Sequence, residues 1–311
     1  MKVTVVGAGN VGSTVASVLA QKDFCREIVL LDVKQGVAEG KSLDMYQVSP
    51  MAMYDTMVKG VTNDYTTTAG SDVVVITSGL PRKPGMSRDD LVFTNGNIVK
   101  EVTEQIVKYS PNTFIIVVSN PLDAMSYVAL KTSKFAPNKV VGMAGILDTA
   151  RYKAFISEDL DCSPKDVQAL ILGGHGDDMV ALKNYTTICG IPVTQFMTES
   201  RLDAIIRRTR MGGGEIVNLL GMSAWYAPGF AAAEMVEAIL LDQKRVVPCS
   251  AYLEGKYGLN DIYFGVPCKL GKNGVEFVVD VKLNPEEKVM VEKSAANVRS
   301  TIDLLKQKGI V

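Results

Sequence analysis

The chain has 311 residues, enough for two domains, and its 47% hydrophobic and 22% charged residues are typical of a soluble globular protein. Its 33 basic and 34 acidic residues nearly cancel, so the protein carries no overall charge that would attract nucleic acid or anionic lipid. No segment approaches the roughly 18 uninterrupted apolar residues of a membrane span. We therefore expect neither nucleic acid nor a membrane as a partner.

The five cysteines are widely spaced and include no C-x-x-C pair. This pattern favours a reducing compartment and argues against a zinc site, so we expect a cytoplasmic protein that binds no metal. The N-terminal apolar run agrees with this expectation, because Gly7, Gly9 and Asn10 interrupt it well before the length of a secretion signal.

The first half of the chain alternates short β-branched runs with helix-length segments. The strands are predicted at residues 3–6, 28–31, 72–77, 114–118 and 139–142, and helices are predicted at residues 13–21 and 98–109. Nearly continuous apolar strands that alternate with helices indicate a parallel sheet covered on both faces. The predicted fold class is therefore α/β, with a doubly wound parallel sheet.

After about residue 145 the pattern changes. Long helices are predicted at residues 151–159, 199–210, 231–241 and 285–308. Asn273 and Gly274 separate two strand-like runs, which indicates an antiparallel hairpin. We predict a first domain at residues 1–144 and a second, α+β domain with antiparallel strands at residues 145–311.

The segment VTVVGAGNVGSTVASVLA places Gly7, Gly9 and Gly12 between a strand and a helix. Such glycines allow a tight turn, the approach of a pyrophosphate to the main chain, and close helix–strand packing, although an ordinary strand–helix turn also fits. Asp32 ends the second strand, twenty residues after Gly12. A carboxylate there would bind the adenosine ribose and repel a 2′-phosphate, which the nearby Lys34 would partly offset. We predict a Rossmann-type domain that binds NAD rather than NADP.

The only histidine, His175, lies between two glycines in the segment LGGHGDDM. Flanking glycines leave an imidazole open to an approaching molecule, although a loop histidine without a catalytic role fits this stretch equally well. Asp148 and Arg151 are neighbours near a predicted helix start, where a local ion pair with a cap is one interpretation. Alternatively, Asp148 holds the tautomer of His175 and leaves Arg151 to bind a carboxylate.

Two further segments follow predicted strands at the same edge of the sheet. The loop SGLPRKPGMSRDD carries Arg82, Lys83 and Arg88, and on its own it fits a solvated basic loop better than a binding site. The segment VVSNP places Asn120 at a strand end, where an asparagine is more often a helix cap than a ligand.

The segments GAGNVG, LLD, GLPRKPGMSR, VSNP, ILDTAR and GGHGD resemble, in order and spacing, the malate dehydrogenases of the lactate-dehydrogenase-like type. The resemblance runs nearly from end to end and implies that His175 accepts a proton, with Asp148 as its partner. It also implies that Arg151 binds the carboxylate next to the reacting carbon and that Arg88 polarises the carbonyl. Asn120 would hydrogen-bond substrate and cofactor.

The same resemblance implies a cofactor site and a substrate preference. The implied cofactor-binding residues are Gly7, Ala8, Gly9, Asn10, Val11, Gly12, Asp32, Asn95, Val118, Ser119 and Asn120. Arg82 matches a position where malate dehydrogenases have arginine and lactate dehydrogenases typically have an uncharged residue, which implies a substrate with a second carboxylate. A homodimer or homotetramer is implied as well.

We therefore expect an NAD-dependent enzyme that interconverts malate and oxaloacetate. One alternative is a lactate or other 2-hydroxy acid dehydrogenase, which would require Arg82 to point away from the pocket. A second is an NAD-binding regulatory protein without turnover. The NAD- and metal-dependent glycosidases resemble this superfamily in fold, but the single histidine has no cysteine nearby in sequence to complete their metal site.

Overall fold

The computed structural model describes residues 1–81 and 87–311, without the side chain of Arg88. The strands within these ranges are β1 (Lys2–Val6), β2 (Glu27–Asp32), β3 (Met57–Thr62), β4 (Val73–Ile76), β5 (Phe114–Val117), β6 (Val140–Gly142), β7 (Val167–Gln168), β8 (Ile171–Leu172), β9 (Val180–Ala181), β10 (Thr187–Ile188), β11 (Ile191–Pro192), β12 (Arg245–Glu254), β13 (Asn260–Gly271) and β14 (Gly274–Val278). The helices are α1 (Asn10–Lys22), α2 (Val37–Ala52), α3 (Arg88–Tyr109), α4 (Leu122–Ser133), α5 (Gly145–Leu160), α6 (Glu199–Leu220), α7 (Tyr226–Leu240) and α8 (Pro285–Gln307).

The first six strands form the parallel part of the main sheet, in the order β3-β2-β1-β4-β5-β6. The apolar runs predicted as strands are buried because helices cover both faces; all four residues of Val73–Ile76 are inaccessible to solvent. The order reverses between β1 and β4, so the loops after these strands diverge and open a crevice at the carboxyl edge of the sheet. The predicted α/β fold is confirmed.

The second half of the chain extends the same sheet with antiparallel strands. β12 pairs with β6 through Ser250 and Gly142, and β13 and β14 continue outward from β12. The predicted hairpin is present, but its turn lies one residue earlier than predicted, because Gly274 pairs with Gly271 and belongs to β14. Gly274 has a φ of 76°, and a Cβ there would lie 2.0 Å from the carbonyl oxygen of Asn138, so glycine is required.

Three differences from the predicted elements have physical causes. β3 was not predicted, because it is an edge strand that alternates exposed and buried positions and contains Gly60. Helix α6 continues to Leu220, past the predicted end at residue 210 and through three consecutive glycines; the first of these, Gly212, is buried against Arg151 of α5, and the helix ends only where Gly221 adopts the left-handed conformation of a C-cap. Helix α3 begins at Arg88, ten residues earlier than predicted, where Ser87 and Asp90 form a capping box.

The hydrophobic core crosses the predicted domain boundary. Its main cluster includes Val5 and Ile116 from the first half and Val236 and Phe264 from the second. The division after residue 144 stays a prediction. Among the residues that the structure describes, no helix combines the length and the apolar character needed to cross a membrane.

Candidate active site

Two glycines after β1 allow the chain to turn tightly from the sheet into α1. Gly7 has a φ of 106°, and a Cβ there would lie 2.7 Å from Oγ1 of Thr77. A Cβ on Gly12 would lie 1.9 Å from the carbonyl oxygen of Gly7, so the helix could not approach the strand. Neither position accepts a larger residue without moving the main chain.

The third glycine, Gly9, differs because it faces open space. A Cβ there would meet no described atom within 4 Å, and Gly9 is the N-cap of α1 without a side-chain cap. The first N–H groups of a helix have no partner within the helix, and with the helix dipole they favour a bound anion. This end of α1 therefore fits a pyrophosphate, as the glycine spacing predicts.

Asp32 ends β2 beside this loop. Its Oδ2 accepts a hydrogen bond from the Ala8 N–H at 2.6 Å, and its Oδ1 accepts one from the Lys34 N–H at 2.9 Å. The ammonium of Lys41, on α2, donates to the Ala8 carbonyl at 2.7 Å. The carboxylate of Asp32 thus binds the N–H of Ala8, and the ammonium of Lys41 binds its carbonyl. Burial lowers the pKa of Lys41, and the charge of Asp32 partly offsets this effect. Sequence analysis missed Lys41, because a helix lysine carries no local sign of this contact.

The loops after β4 and β5 are joined by the Asn95 side chain on α3, which is only 2% exposed. Its Oδ1 accepts from the Leu80 N–H at 2.8 Å, and its Nδ2 donates to the Asn120 carbonyl at 2.7 Å. Ser119 donates its hydroxyl to the Ser78 carbonyl. The polar atoms of the Asn95 amide are therefore occupied by main-chain groups of these two loops. Direct cofactor contact stays a prediction.

Val118 continues β5, donating its N–H to the Ile76 carbonyl at 2.8 Å, and it is buried. Asn120, two residues later, is exposed, and Pro121 precedes α4. Pro121 and His175 line the same cavity of about 240 Å³. The strand end that carries Asn120 therefore lies close to the histidine loop.

His175 lies on the loop between β8 and β9 and contacts Asp148 in the first turn of α5. Its Nδ1 lies 2.8 Å from Oδ2 of Asp148, which is 2% exposed. A hydrogen bond there places the proton on Nδ1 and leaves Nε2 free to accept a proton in the neutral ring. The arrangement is the one that a general base requires.

The pKa of His175 lies above its ordinary value of 6.5. Burial alone would lower this pKa, because it disfavours the charged ring. The charge of Asp148, the hydrogen bond to it and the charge of Asp123 together outweigh burial and the opposing charge of Arg151. The site therefore favours the imidazolium.

Arg151 lies one turn along α5 from Asp148, and its Nη1 is 3.5 Å from Oδ1 of that residue. This distance marks a weak contact, which leaves the guanidinium able to bind a second carboxylate. The side chain passes directly over Gly212 of α6, where a Cβ would lie 2.3 Å from Cδ of Arg151. Sequence analysis missed Gly212, because three consecutive glycines do not indicate which one faces an arginine.

Two predicted substrate-binding residues fall outside what the structure describes. Arg82 belongs to the segment 82–86, and of Arg88 only the main chain at the start of α3 is described. Within the described ranges, no group of three or more His, Cys, Asp or Glu side chains is arranged to hold a metal ion.

Comparison with known proteins assigns both halves of the chain. Residues 1–142 match the NAD-binding domain of lactate/malate dehydrogenases, and residues 146–308 match their α/β C-terminal domain. The chain therefore belongs to the lactate/malate dehydrogenase family.

Three relatives place the chain within that family. It is 61% identical to a malate dehydrogenase of Cytophaga hutchinsonii over 305 residues, which cover 98% of both chains. The solved structure of malate dehydrogenase from Salinibacter ruber superimposes with a TM-score of 0.95 at 54% identity, covering 99% of this chain and 100% of that one. A lactate dehydrogenase of Cryptosporidium parvum, solved with lactic acid and NAD, gives a TM-score of 0.94 at 37% identity over 98% of both chains.

Proposed function

We propose that the chain catalyses the reversible, NAD-dependent oxidation of malate to oxaloacetate. The observation that carries this proposal is the pairing of His175 with the buried Asp148, beside the strand end that bears Asn120. Relatives named malate dehydrogenase, at 52–61% identity over nearly the whole chain, support the choice of substrate.

The cofactor fits the carboxyl edge of the sheet. The open N-terminus of α1 at Gly9 would hold the pyrophosphate, and Asp32 would accept hydrogen bonds from the adenosine ribose. Val118, Ser119 and Asn120 would line the nicotinamide end. Bound there, the nicotinamide would exchange a hydride with the substrate carbon.

The remaining steps belong to side chains of this protein. In malate oxidation, Nε2 of neutral His175 accepts the hydroxyl proton, and Asp148 stabilises the imidazolium that forms. In the reverse direction the same imidazolium returns the proton to the carbonyl oxygen. Arg151 binds the carboxylate next to the reacting carbon, and Asn120 orients the hydroxyl.

Two further substrate-binding residues, Arg82 and Arg88, belong to the segment SGLPRKPGMSRDD. By resemblance, Arg88 polarises the carbonyl and Arg82 binds the second carboxylate. A lactate dehydrogenase remains the alternative with the most specific support, because the lactate dehydrogenase of Cryptosporidium parvum shares the fold at 37% identity. The higher identity to malate dehydrogenases favours the dicarboxylate.

One assay distinguishes the candidates. NADH oxidation is followed by absorbance with oxaloacetate and then with pyruvate. Rapid oxidation with oxaloacetate and slow oxidation with pyruvate supports the proposal, and the opposite preference supports a 2-hydroxy monoacid dehydrogenase. NADH binding without turnover of either substrate would support a regulatory protein.

We further propose a cytoplasmic homo-oligomer. Support comes from five free cysteines and from large apolar side chains on and after α2 that are more than half exposed, namely Leu43, Tyr46, Met51 and Met53. Exposed apolar patches commonly mark subunit contacts. Light scattering of the wild type and of Leu43→Glu would test the contact, and a monomeric wild type would contradict it.

A further inference from the structure

A second buried carboxylate, Asp123, lies against the main chain of His175. It belongs to the first turn of α4 and is 5% exposed. Its Oδ2 accepts a hydrogen bond from the His175 N–H at 2.8 Å, and its Oδ1 accepts one from the Ser250 hydroxyl at 2.6 Å.

The loop before His175 is held by three consecutive N–H groups. The Gly173 N–H donates to the Gly265 carbonyl of β13 at 2.9 Å, and the Gly174 N–H donates to the Ser294 hydroxyl of α8 at 2.9 Å. The third N–H, that of His175, donates to Asp123. Of these three acceptors only Asp123 can carry a charge, and it holds the residue that bears the imidazole.

We propose that Asp123 is a positioning residue for His175: its carboxylate fixes the main chain that carries the imidazole and adds a second buried negative charge that favours the protonated ring. This inference rests on the proposed function, because it concerns the same proton transfer. An imidazole displaced by about 1 Å loses much of its catalytic effect, so a fixed main chain directly supports the rate. The added negative charge raises the pKa of His175 and so extends to higher pH the range in which the ring can donate a proton.

Among the charged groups that surround His175, Asp123 differs from the loop carboxylates because it is buried. The charged groups on the elements packed around His175 include Asp148 and Arg151 of α5, Asp123 of α4, Asp177 and Asp178 of its own loop, Arg210 of α6 and Lys293 of α8. Asp178 is partly neutralised by Lys293, 3.9 Å away, and is 38% exposed, so water screens it. Asp123 is buried, and its charge acts on the ring with little screening.

Burial raises the pKa of Asp123, whereas the hydrogen bonds from Ser250 and His175 act to keep it ionised. Asp123 also contributes to the raised pKa of His175, after the larger contribution of Asp148. An isosteric amide would keep both hydrogen bonds, with its oxygen towards the His175 N–H and its NH₂ towards the Ser250 oxygen, and would remove only the charge.

The single histidine permits a direct test that needs no substrate. The imidazole C–H resonance of the full-length protein, titrated by NMR, reports on His175 alone. We expect Asp123→Asn to lower the pKa of His175. The control Asp178→Asn makes the same change of charge in the same loop, at a partly exposed side chain, and we expect it to leave this pKa nearly unchanged. An unchanged value in Asp123→Asn would overturn the proposal.

Kinetics test the positioning part separately. Asp123→Ala removes the acceptor of the His175 N–H, and we expect kcat to fall at least about tenfold, with NADH affinity retained. Asp123→Asn should recover most of that loss at a pH low enough to protonate His175. An equal loss of kcat in Asp123→Ala and Asp123→Asn at such a pH would contradict a role for the hydrogen bond from the His175 N–H.

Should Asp123→Asn fail to fold, Ser250→Ala decides the question. Loss of the Ser250 hydrogen bond destabilises the ionised form of Asp123, which reduces the negative charge near the ring. The pKa of His175 should therefore fall, by less than in Asp123→Asn. A folded Ser250→Ala protein with a wild-type titration would overturn the proposal. Because the NMR titration needs no turnover, a failure of the proposed reaction would not be mistaken for a failure of this inference.

Discussion

Nδ1 of His175 lies 2.8 Å from Oδ2 of Asp148, although the two residues are 27 positions apart in the chain. The contact joins the first turn of α5 to the loop between β8 and β9 and resolves the two interpretations of Asp148. Asp148 does not cap α5, because its Oδ2 contacts His175 while its Oδ1 lies 3.5 Å from Nη1 of Arg151. The paired histidine has the geometry of an acid–base group.

Replacement of His175 with Asn should lower kcat for oxaloacetate reduction and for malate oxidation at least about a hundredfold, since positioned acid–base groups contribute roughly 10²–10⁴. NADH affinity, measured by fluorescence titration, should change little, because His175 is not among the residues predicted to bind the cofactor. A variant that kept most of its activity in both directions would remove His175 from the mechanism.

The pH dependence should be opposite in the two directions. The pKa of His175 is raised above 6.5, because the charge of Asp148, the hydrogen bond to Asp148 and the charge of Asp123 together outweigh the effect of burial. Oxaloacetate reduction requires the protonated ring, so its kcat/KM should fall as pH rises through this pKa. Malate oxidation requires the neutral ring and should rise over the same interval.

The pH profiles of kcat/KM in both directions measure this interval. Asp148→Asn should move the midpoint to lower pH, while the exposed control Asp177→Asn should not. A midpoint at or below the ordinary histidine value in the wild type would contradict the prediction.

Asp32 should make the enzyme prefer NADH to NADPH. Asp32→Ser removes the carboxylate that would repel a 2′-phosphate, so the ratio of kcat/KM for NADPH to that for NADH should rise at least about tenfold, equivalent to roughly 1.4 kcal/mol. Asp44→Ser on the exposed face of α2 is the matched control. Comparable use of both cofactors by the wild type would show that Asp32 has been assigned wrongly.

Gly212 should matter for substrate binding through Arg151. In Gly212→Ala the added methyl group would meet Cδ of Arg151 and push its guanidinium aside, so KM for oxaloacetate should rise by about threefold to thirtyfold. Gly213→Ala is the control, because a Cβ there meets no described atom within 4 Å. Both substitutions favour the helix by up to about 1 kcal/mol, but only Gly212→Ala must displace Arg151, so thermal unfolding should show Gly213→Ala to be the more stable variant. Equal KM values in the two variants would disprove this role.

Arg82 should select oxaloacetate over pyruvate, a prediction that rests on the sequence alone. Loss of a buried charged contact costs about 2–5 kcal/mol, so Arg82→Gln should lose roughly 30-fold to several thousandfold in kcat/KM for oxaloacetate. The ratio of pyruvate to oxaloacetate turnover should rise, with NADH affinity little changed. An unchanged ratio would place substrate selection elsewhere in the protein.

The sequence by itself determined the parts of this protein that depend on local pattern. Gly7 and Gly12 follow a buried strand at the spacing that a tight turn and a close helix require, and Asp32 ends the next strand. The parallel sheet follows from apolar runs that alternate with helices. These features were predictable because each depends on residues that are neighbours in the chain or on one element's periodicity.

Only the tertiary structure decided the rest. Asp123 contacts His175 from 52 positions away and Ser250 from 127, and Arg151 crosses Gly212 on another helix. The edge strand β3 is likewise decided by its pairing with β2, since its local pattern alone does not predict a strand. A buried carboxylate or a helix glycine carries no sign of its partner in the sequence, because the partner is chosen by how the elements pack.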